Sequence, residues 1–191
     1  MLDTLEKILT VIGIATSLYS LTLLIMDRMG YYSWFSIEYR SKKLIKQIKE
    51  SGFAPDFIVG LGRSGAILGG ILAGNMGVKT ITVIDRAYKW QEEKTREVVP
   101  VSLINLEMLR GKKVLLVDAA PHTGETCKVI KEELLKAQPT EVKIASLFKV
   151  LYTVQVPDFY INEVEKVRKM PWRFSFEYRE DFTQKKPKSA R

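Results

Sequence analysis

Cysteine and histidine are almost absent from this sequence. Cys127 and His122 are the single examples of each type. One cysteine excludes an intrachain disulfide, which is typical of a protein from a reducing compartment. One cysteine and one histidine are also too few soft ligands for a zinc site. The chain has no internal repeat, and its low-complexity sequence is confined to the basic residues 185–191, which predict a disordered tail.

Acidic residues are in the minority. The 191 residues include 22 Asp and Glu against 30 Lys and Arg, a formal charge of +8. This balance favours an anionic partner such as a phosphate, an acidic lipid or a nucleic acid. Nucleic-acid binding has only this charge to support it, so we expect no specific nucleic-acid partner. The length and the 46% hydrophobic content suit one domain with a core plus an additional segment.

Charged residues are missing from residues 8–26, which read ILTVIGIATSLYSLTLLIM. At about 1.5 Å per residue, a helix of this length spans the hydrocarbon region of a bilayer. A cleaved signal peptide is disfavoured because Asp3 and Glu6 precede the run and no small-residue cleavage site follows it. A buried core helix is disfavoured because the segment is apolar on every side. The pattern therefore predicts a retained membrane anchor, with membrane lipid as a partner.

The charges beside this segment predict its orientation. One basic residue, Lys7, lies close before it, and five follow it closely: Arg28, Arg40, Lys42, Lys43 and Lys46. Basic flanks stay in the cytoplasm, so we expect a single-pass protein whose C-terminal domain is cytoplasmic. Aromatic residues at 31, 32, 34 and 35 are typical of the interfacial belt.

The rest of the chain reads as an α/β domain. Residues 37–51 have helical spacing, and their lysines either contact anionic lipid or form a solvated face. Short apolar runs at 56–62, 79–85 and 112–118 are each followed by a glycine turn with a helix-like segment or by a polar loop. This alternation predicts a mostly parallel twisted sheet with flanking helices and ligands at the carboxyl ends of the strands. We expect an anchor and interfacial segment at 1–35, a domain at 36–182 and a tail at 183–191.

Residues 114–126, VLLVDAAPHTGET, carry the strongest functional signal. A buried strand ends at an acid, Asp118, and a turn rich in small residues then opens a helix. Backbone N–H groups of residues 122–126 would point at a phosphate, and the hydroxyls of Thr123 and Thr126 would add donors. Asp118 would hold ribose hydroxyls or a Mg²⁺ shell. The alternative is that Thr123 and Gly124 only cap the helix.

This segment resembles the motif of type I phosphoribosyltransferases, which bind phosphoribosyl diphosphate (PRPP). That motif is an apolar strand, two acids, and a loop ending in Thr-Gly-x-Thr; here it reads VLLV, Asp118, Ala119 and then residues 122–126. The resemblance covers residues 56–182. It implies the α/β fold, Mg²⁺, and PRPP or a purine nucleotide as ligand, and it leaves assembly into a homo-oligomer open. Residues 58–73 resemble the pyrophosphate loop, which gives that role to Arg63, Ser64 and Gly65.

Later segments resemble the purine (xanthine/hypoxanthine-guanine) branch of this family. Residues 85–99 occupy the place of its mobile catalytic loop, where Lys89, Trp90 and Lys94 either close over the diphosphate or remain solvated. Lys149 matches a lysine that contacts the 6-oxo group of the base. Residues 156–160 and 170–172 resemble the small C-terminal hood over the base, and Val167 lies where the hood usually offers a stacking ring.

Several residues depart from the family pattern. Ala119 replaces the second acid of the motif, and Arg173 stands where an acid is common, so Mg²⁺ binding should be weakened. The aliphatic Val167 implies weaker base binding or a different base. Glu125 adds a negative charge within residues 122–126, the predicted phosphate loop, and this charge opposes phosphate binding unless the carboxylate points to solvent.

His122 occupies the place of an Asp that acts on the glycosylated nitrogen of the base. An imidazole exchanges such a proton near neutral pH; the alternative is that His122 is only a polar loop residue. Two functions therefore compete. The first is a phosphoribosyltransferase with Asp118, His122 and Arg63 in catalytic roles. The second is a nucleotide or PRPP sensor, or a membrane effector, that uses the same pocket without full metal chemistry.

Overall fold

The computed structural model describes residues 2–28, 31–90, 96–101 and 106–172. The elements in chain order are α1 (Leu2–Arg28), α2 (Trp34–Glu50), β1 (Phe57–Leu61), α3 (Gly62–Met76), β2 (Thr80–Trp90), β3 (Arg96–Val101), a 3-10 helix (Leu106–Leu109), β4 (Lys113–Val117), α4 (Glu125–Leu135), β5 (Glu141–Val150) and β6 (Phe159–Val164). Contacts group the chain into two units, one of Met1–Trp34 with Arg168–Arg191 and one of Phe35–Val167.

The second unit is built on a six-stranded sheet with the order β3-β2-β1-β4-β5-β6. Five strands are parallel, and β3 pairs antiparallel with β2. This confirms the predicted α/β class. In the central register Leu61 pairs with Ile84, and Gly60 pairs with Val117. The carboxyl ends of β1 and β4 therefore lie side by side at one edge of the sheet.

Alternating side chains cover both faces of this sheet. Phe57, Val59 and Leu61 of β1 belong to a buried cluster with α4, whose other members include Leu109, Val114, Leu116, Cys127, Ile130, Leu134, Val142 and Ile144. Ile58 points the other way, where its methyl group meets the Gly69 position of α3. Burial on both faces explains why these strands are continuously apolar.

Helix α2 has the amphipathic pattern that the sequence predicts. Its Ile37, Leu44 and Ile48 are fully buried. The Arg40 guanidinium lies 5.4 Å from the centre of the Phe148 ring, and its Nε donates to Asn162 Oδ1 at 2.9 Å. Since Phe148 is in β5 and Asn162 in β6, helix α2 covers that end of the sheet.

Residues 85–99, predicted to occupy the place of the mobile catalytic loop, form paired strands at both flanks. Strand β2 continues to Trp90, so Lys89 and Trp90 lie in a strand, and β3 returns antiparallel from Arg96. Strand β2 is longer than its parallel neighbour β1, and their pairing ends at Ile84. From Asp85, which pairs with Val101, β2 pairs with β3 instead. Lys94 lies outside the described residues.

Residues 156–160 were predicted as part of a hood, and this prediction is wrong for Phe159 and Tyr160. Both residues belong to β6, where they pair with Ala145 and Ser146. Phe159 is buried, and its ring centre lies 6.0 Å from that of Phe53. Burial of this aromatic ring stabilises the segment as a strand of the main sheet.

The first unit contains helix α1 and a small contact between the segments around residues 31 and 169. Helix α1 includes a stretch, Thr4–Thr22, that is long and apolar enough to cross a membrane, and none of this stretch is buried. Tyr32 N donates to Lys169 O at 2.8 Å, and the rings of Trp34 and Trp172 lie 5.7 Å apart. Arg173 and the predicted tail lie outside the described residues.

Candidate active site

The predicted phosphate-binding residues follow two adjacent strands. Arg63 lies just after β1, and Asp118 lies just after β4. Neighbouring strands are about 4.8 Å apart, so this topology brings both residues to the same edge of the sheet. Arg63 is exposed at the start of α3. Its guanidinium is therefore accessible from solvent.

Glycine is required at position 65 because two backbone segments pack closely together there. A Cβ atom at this position would lie 2.2 Å from the carbonyl oxygen of Val117. The same close approach affects Gly60, whose Cβ would lie 2.8 Å from Ala66 N. Both distances are shorter than any real Cβ contact, so glycine is required where α3 starts. This contact holds the loop with Arg63 and Ser64 beside the end of β4.

The loop between β4 and α4 presents free backbone donors. Within the described part of the chain, the amides of His122, Gly124 and Thr126 have no hydrogen-bond partner. The amide of Glu125 makes only a long contact of 3.4 Å with Thr123 Oγ1. Unpaired N–H groups at a helix start favour an anion, because the helix dipole adds to their field. This arrangement fits the predicted phosphate cradle.

Gly124 is held in the cradle by two restraints. Its φ of +79° lies in the left-handed region, which favours glycine. A Cβ there would also lie 2.3 Å from Thr153 Oγ1 and 2.9 Å from Gln155 N. The connection between β5 and β6 therefore packs directly against the phosphate loop.

Asp118 and Ala119 are both buried, at 8% and 0% exposure. Asp118 Oδ1 accepts the Ala120 amide at 3.3 Å. The carbonyl of Ala119 accepts from Leu147 N and from Ser146 Oγ, each at 3.2 Å. These bonds continue the β4–β5 pairing beyond Val117, so the missing second acid of the motif falls at a position closed to solvent.

His122, Thr123 and Glu125 are exposed, whereas Thr126 is half-buried. Exposure of Glu125 lowers the electrostatic cost of its charge beside the loop, because water screens it. His122 is likewise open to a ligand.

Lys149 is engaged by the neighbouring strand. Its Nζ lies 3.0 Å from Glu163 Oε2 and 5.4 Å from the centre of the Tyr160 ring. A purine base bound by Lys149 would share the lysine ammonium with the Glu163 carboxylate. Val167 is half-buried near the end of the second unit, after β6.

Sequence reasoning missed three residues at this edge of the sheet. Thr153 contacts the phosphate loop, Glu163 pairs with Lys149, and Asp85 lies 3.6 Å from where a Gly62 Cβ would stand. Thr153 and Glu163 lie beyond or near the carboxyl end of a strand, and Asp85 follows the last residue of β2 that pairs with β1. The rule that ligands bind at those ends is the signal that could have found them.

Comparisons with known proteins agree with this geometry. Residues 27–179 match the model of the phosphoribosyl transferase domain family. A purine phosphoribosyltransferase from Pyrococcus horikoshii superimposes with a TM-score of 0.69 and 31% identity, over 76% of this chain and 95% of that one. A search of curated proteins gave no match.

Two further solved structures are similar. A hypothetical protein from Neisseria gonorrhoeae with bound ppGpp has a TM-score of 0.67 and 28% identity, over 75% of this chain and 88% of that one. The xanthine-guanine-hypoxanthine phosphoribosyltransferase of Helicobacter pylori shares the fold, with a TM-score of 0.64 and 19% identity over 74% of this chain and 92% of that one. The family match and the 31% identical relative place this chain in the phosphoribosyltransferase family of enzymes.

Proposed function

We propose that this protein is a membrane-anchored phosphoribosyltransferase that transfers the phosphoribosyl group of PRPP to a purine base. The observation that carries this proposal is the row of unpaired amides at His122, Gly124 and Thr126, which opens beside a buried Asp118. The 5′-phosphate would lie in this row. A ribose held there would extend toward the ends of β4 and β1.

The remaining groups suit the reaction. A base nitrogen forms a bond to C1 of the ribose while the bond from C1 to the diphosphate oxygen breaks. Asp118 accepts hydrogen bonds from the ribose hydroxyls, and the exposed Arg63 neutralises charge on the departing diphosphate. His122 takes the proton that the base nitrogen loses, since its imidazole is exposed to solvent.

The protein itself offers little for a metal ion. Among the described residues, no group of three or more His, Cys, Asp or Glu side chains is close enough to hold one. Asp118 is the single acid of the family motif, because Ala119 carries no ligand atom in its side chain. Mg²⁺ prefers several oxygen ligands, so Asp118 alone does not form a site. We therefore assign no step to a protein-bound metal.

Membrane anchoring is supported by the hydrogen bonds within α1. The hydroxyls of Thr10, Thr16 and Thr22 donate to carbonyls four residues earlier, at 2.8, 3.0 and 2.8 Å. Ser17 donates to Gly13 O at 2.8 Å. A lipid environment requires polar groups to be satisfied internally, and these four are. The basic flank that follows the span favours a cytoplasmic domain.

Release of diphosphate from PRPP tests the enzyme proposal. The full chain is purified in detergent and supplied with a panel of purine and pyrimidine bases. We expect release with at least one purine and none with the pyrimidines. Asp118→Asn should abolish turnover, because it removes the charge that holds the ribose. Turnover that persists in Asp118→Asn would refute the site assignment.

A second candidate function is a sensor that binds a purine nucleotide without transferring it. Ala119 favours it, since a carboxylate that supports metal chemistry in the family is missing. The similar Neisseria gonorrhoeae protein holds ppGpp, which is consistent with nucleotide binding on this scaffold. If no base causes diphosphate release and guanosine nucleotides bind tightly in calorimetry, the sensor would be favoured over the enzyme.

A further inference from the structure

The connection between β5 and β6 is bonded to the phosphate loop at a single carbonyl. Val154 N donates to Thr123 O at 2.8 Å, and Thr153 Oγ1 lies 3.2 Å from the same oxygen. Thr153 Oγ1 also lies 3.1 Å from Gln155 O. The hydroxyl proton is thus shared between two carbonyls that both belong to this contact.

Fixing the Thr123 carbonyl also fixes the next amide. The peptide between Thr123 and Gly124 is trans, so its C=O and N–H point in opposite directions. Because the carbonyl is turned toward Thr153 and Val154, the Gly124 N–H is turned away from them. That amide is one of the unpaired donors of the phosphate loop.

The packing leaves this peptide little freedom to rotate. Thr153 Oγ1 and Gln155 N occupy the space where a side chain at residue 124 would lie. Rotation of the peptide would break two hydrogen bonds and leave the carbonyl without a partner. The segment 153–155 therefore holds the loop in the conformation that presents its donors.

We propose that Thr153 is a positioning residue for phosphate binding, acting through the Thr123–Gly124 peptide. The proposal rests on the phosphate-binding role given to this loop above. Thr153 lies four residues after Lys149, so the strand that would contact the base continues directly into the segment that orients the phosphate loop.

Calorimetric titration of the full chain with ribose 5-phosphate tests this role. Thr153→Val keeps the branched shape and the Val154 N–H but removes the hydroxyl. We expect its affinity to fall about threefold to tenfold, the factor that one neutral hydrogen bond contributes. Thr153→Ser restores the hydroxyl and should bind within about twofold of the wild type. Thermal unfolding of each variant is measured alongside.

The outcomes separate this inference from the proposed function. Failure of the wild type to bind ribose 5-phosphate would refute both. Binding by the wild type with equal affinity in Thr153→Val would refute the positioning role alone. A loss in Thr153→Val that Thr153→Ser shares would also refute it, because restoring the hydroxyl would then fail to restore binding. A loss that serine rescues, at unchanged unfolding temperature, supports it.

Discussion

The ammonium of Lys149 lies 3.0 Å from a carboxylate oxygen of Glu163, its register partner across the β5–β6 pair. The lysine side chain is only 18% exposed, and the Tyr160 ring lies beneath its charge. An ammonium held in this way is preorganised, because it loses little freedom when a ligand carbonyl arrives. Glu163 thus supports the base-binding role that the family resemblance gives to Lys149.

We predict that Lys149→Met weakens binding of inosine 5′-monophosphate about tenfold or more, since a hydrogen bond to a charged group contributes about 1.5–3 kcal/mol. Ribose 5-phosphate carries no base, so its affinity should not change. Calorimetry with both ligands makes the comparison. Glu163→Gln keeps the lysine but removes its carboxylate partner, so it should lose less affinity for inosine 5′-monophosphate than Lys149→Met does. An equal loss for both ligands would show that Lys149 does not act on the base.

Gly124 and Gly77 offer a matched pair for a second prediction. Both are glycines with nearly the same φ, +79° and +73°, but only Gly124 has atoms close to its missing Cβ. Gly77→Ala should cost about 1 kcal/mol of unfolding free energy, from backbone strain alone. Gly124→Ala should cost about 1–3 kcal/mol more because it also overpacks against Thr153. It should also abolish ribose 5-phosphate binding.

Urea unfolding of the two variants measures this difference. Equal destabilisation would mean that the contact of Gly124 with residues 153–155 contributes nothing, and that strain explains the requirement for glycine.

The sequence predicted the central strands because their signal is local. Residues 57–61 and 113–117 are continuous apolar runs, and burial on both faces of a parallel sheet requires that pattern. The phosphate loop could also be predicted from the sequence, because Asp118, Gly124 and the following helix start form one short motif.

Other features depended on contacts between distant segments. Residues 85–90 form a strand because they pair with β3. Their charged and aromatic side chains do not alternate with apolar ones, so the sequence pattern did not predict a strand there. Phe159 joins the sheet because Phe53 and Ala145 provide a buried place for it. Thr153 follows the carboxyl end of a strand, but its contact with Thr123 depends on how two separate loops meet in the fold.

Helix α1 leads to a prediction about the intact protein. With none of Thr4–Thr22 buried, we expect the chain to sediment with membranes and to resist carbonate extraction. Ile12→Lys combined with Ile14→Lys places two charges near the middle of the span, each costing about 2.5–3.5 kcal/mol in a bilayer. This variant should be extracted by carbonate.

Gln47→Lys combined with Asn75→Lys is the charge-matched control, because both positions are exposed in the second unit. It should remain with the membrane. Extraction of the wild type by salt or carbonate would refute the anchor and leave α1 as a helix that binds a partner.

The effect of Ala119→Asp on PRPP binding and on diphosphate release distinguishes an enzyme from a sensor. Ala119 has no exposure, and its carbonyl is already bonded to Leu147 N and Ser146 Oγ. Ala119→Asp restores the acid of the family motif at a closed position, where an unpaired charge is unfavourable. Without ligand it should lower the unfolding free energy by about 2–4 kcal/mol, and Ala119→Asn should cost less because it buries no charge.

PRPP titrations with and without Mg²⁺ complete this test. If the protein is a sensor that lacks a metal ligand, Ala119→Asp should tighten PRPP binding only when Mg²⁺ is present, and base-dependent diphosphate release should appear. If the protein is an enzyme adapted to Ala119, the wild type already releases diphosphate, and the new charge should slow that release. Equal Mg²⁺ dependence in Ala119→Asp and Ala119→Asn would contradict the sensor prediction, because an added carboxylate that does not respond to the metal cannot be the missing ligand.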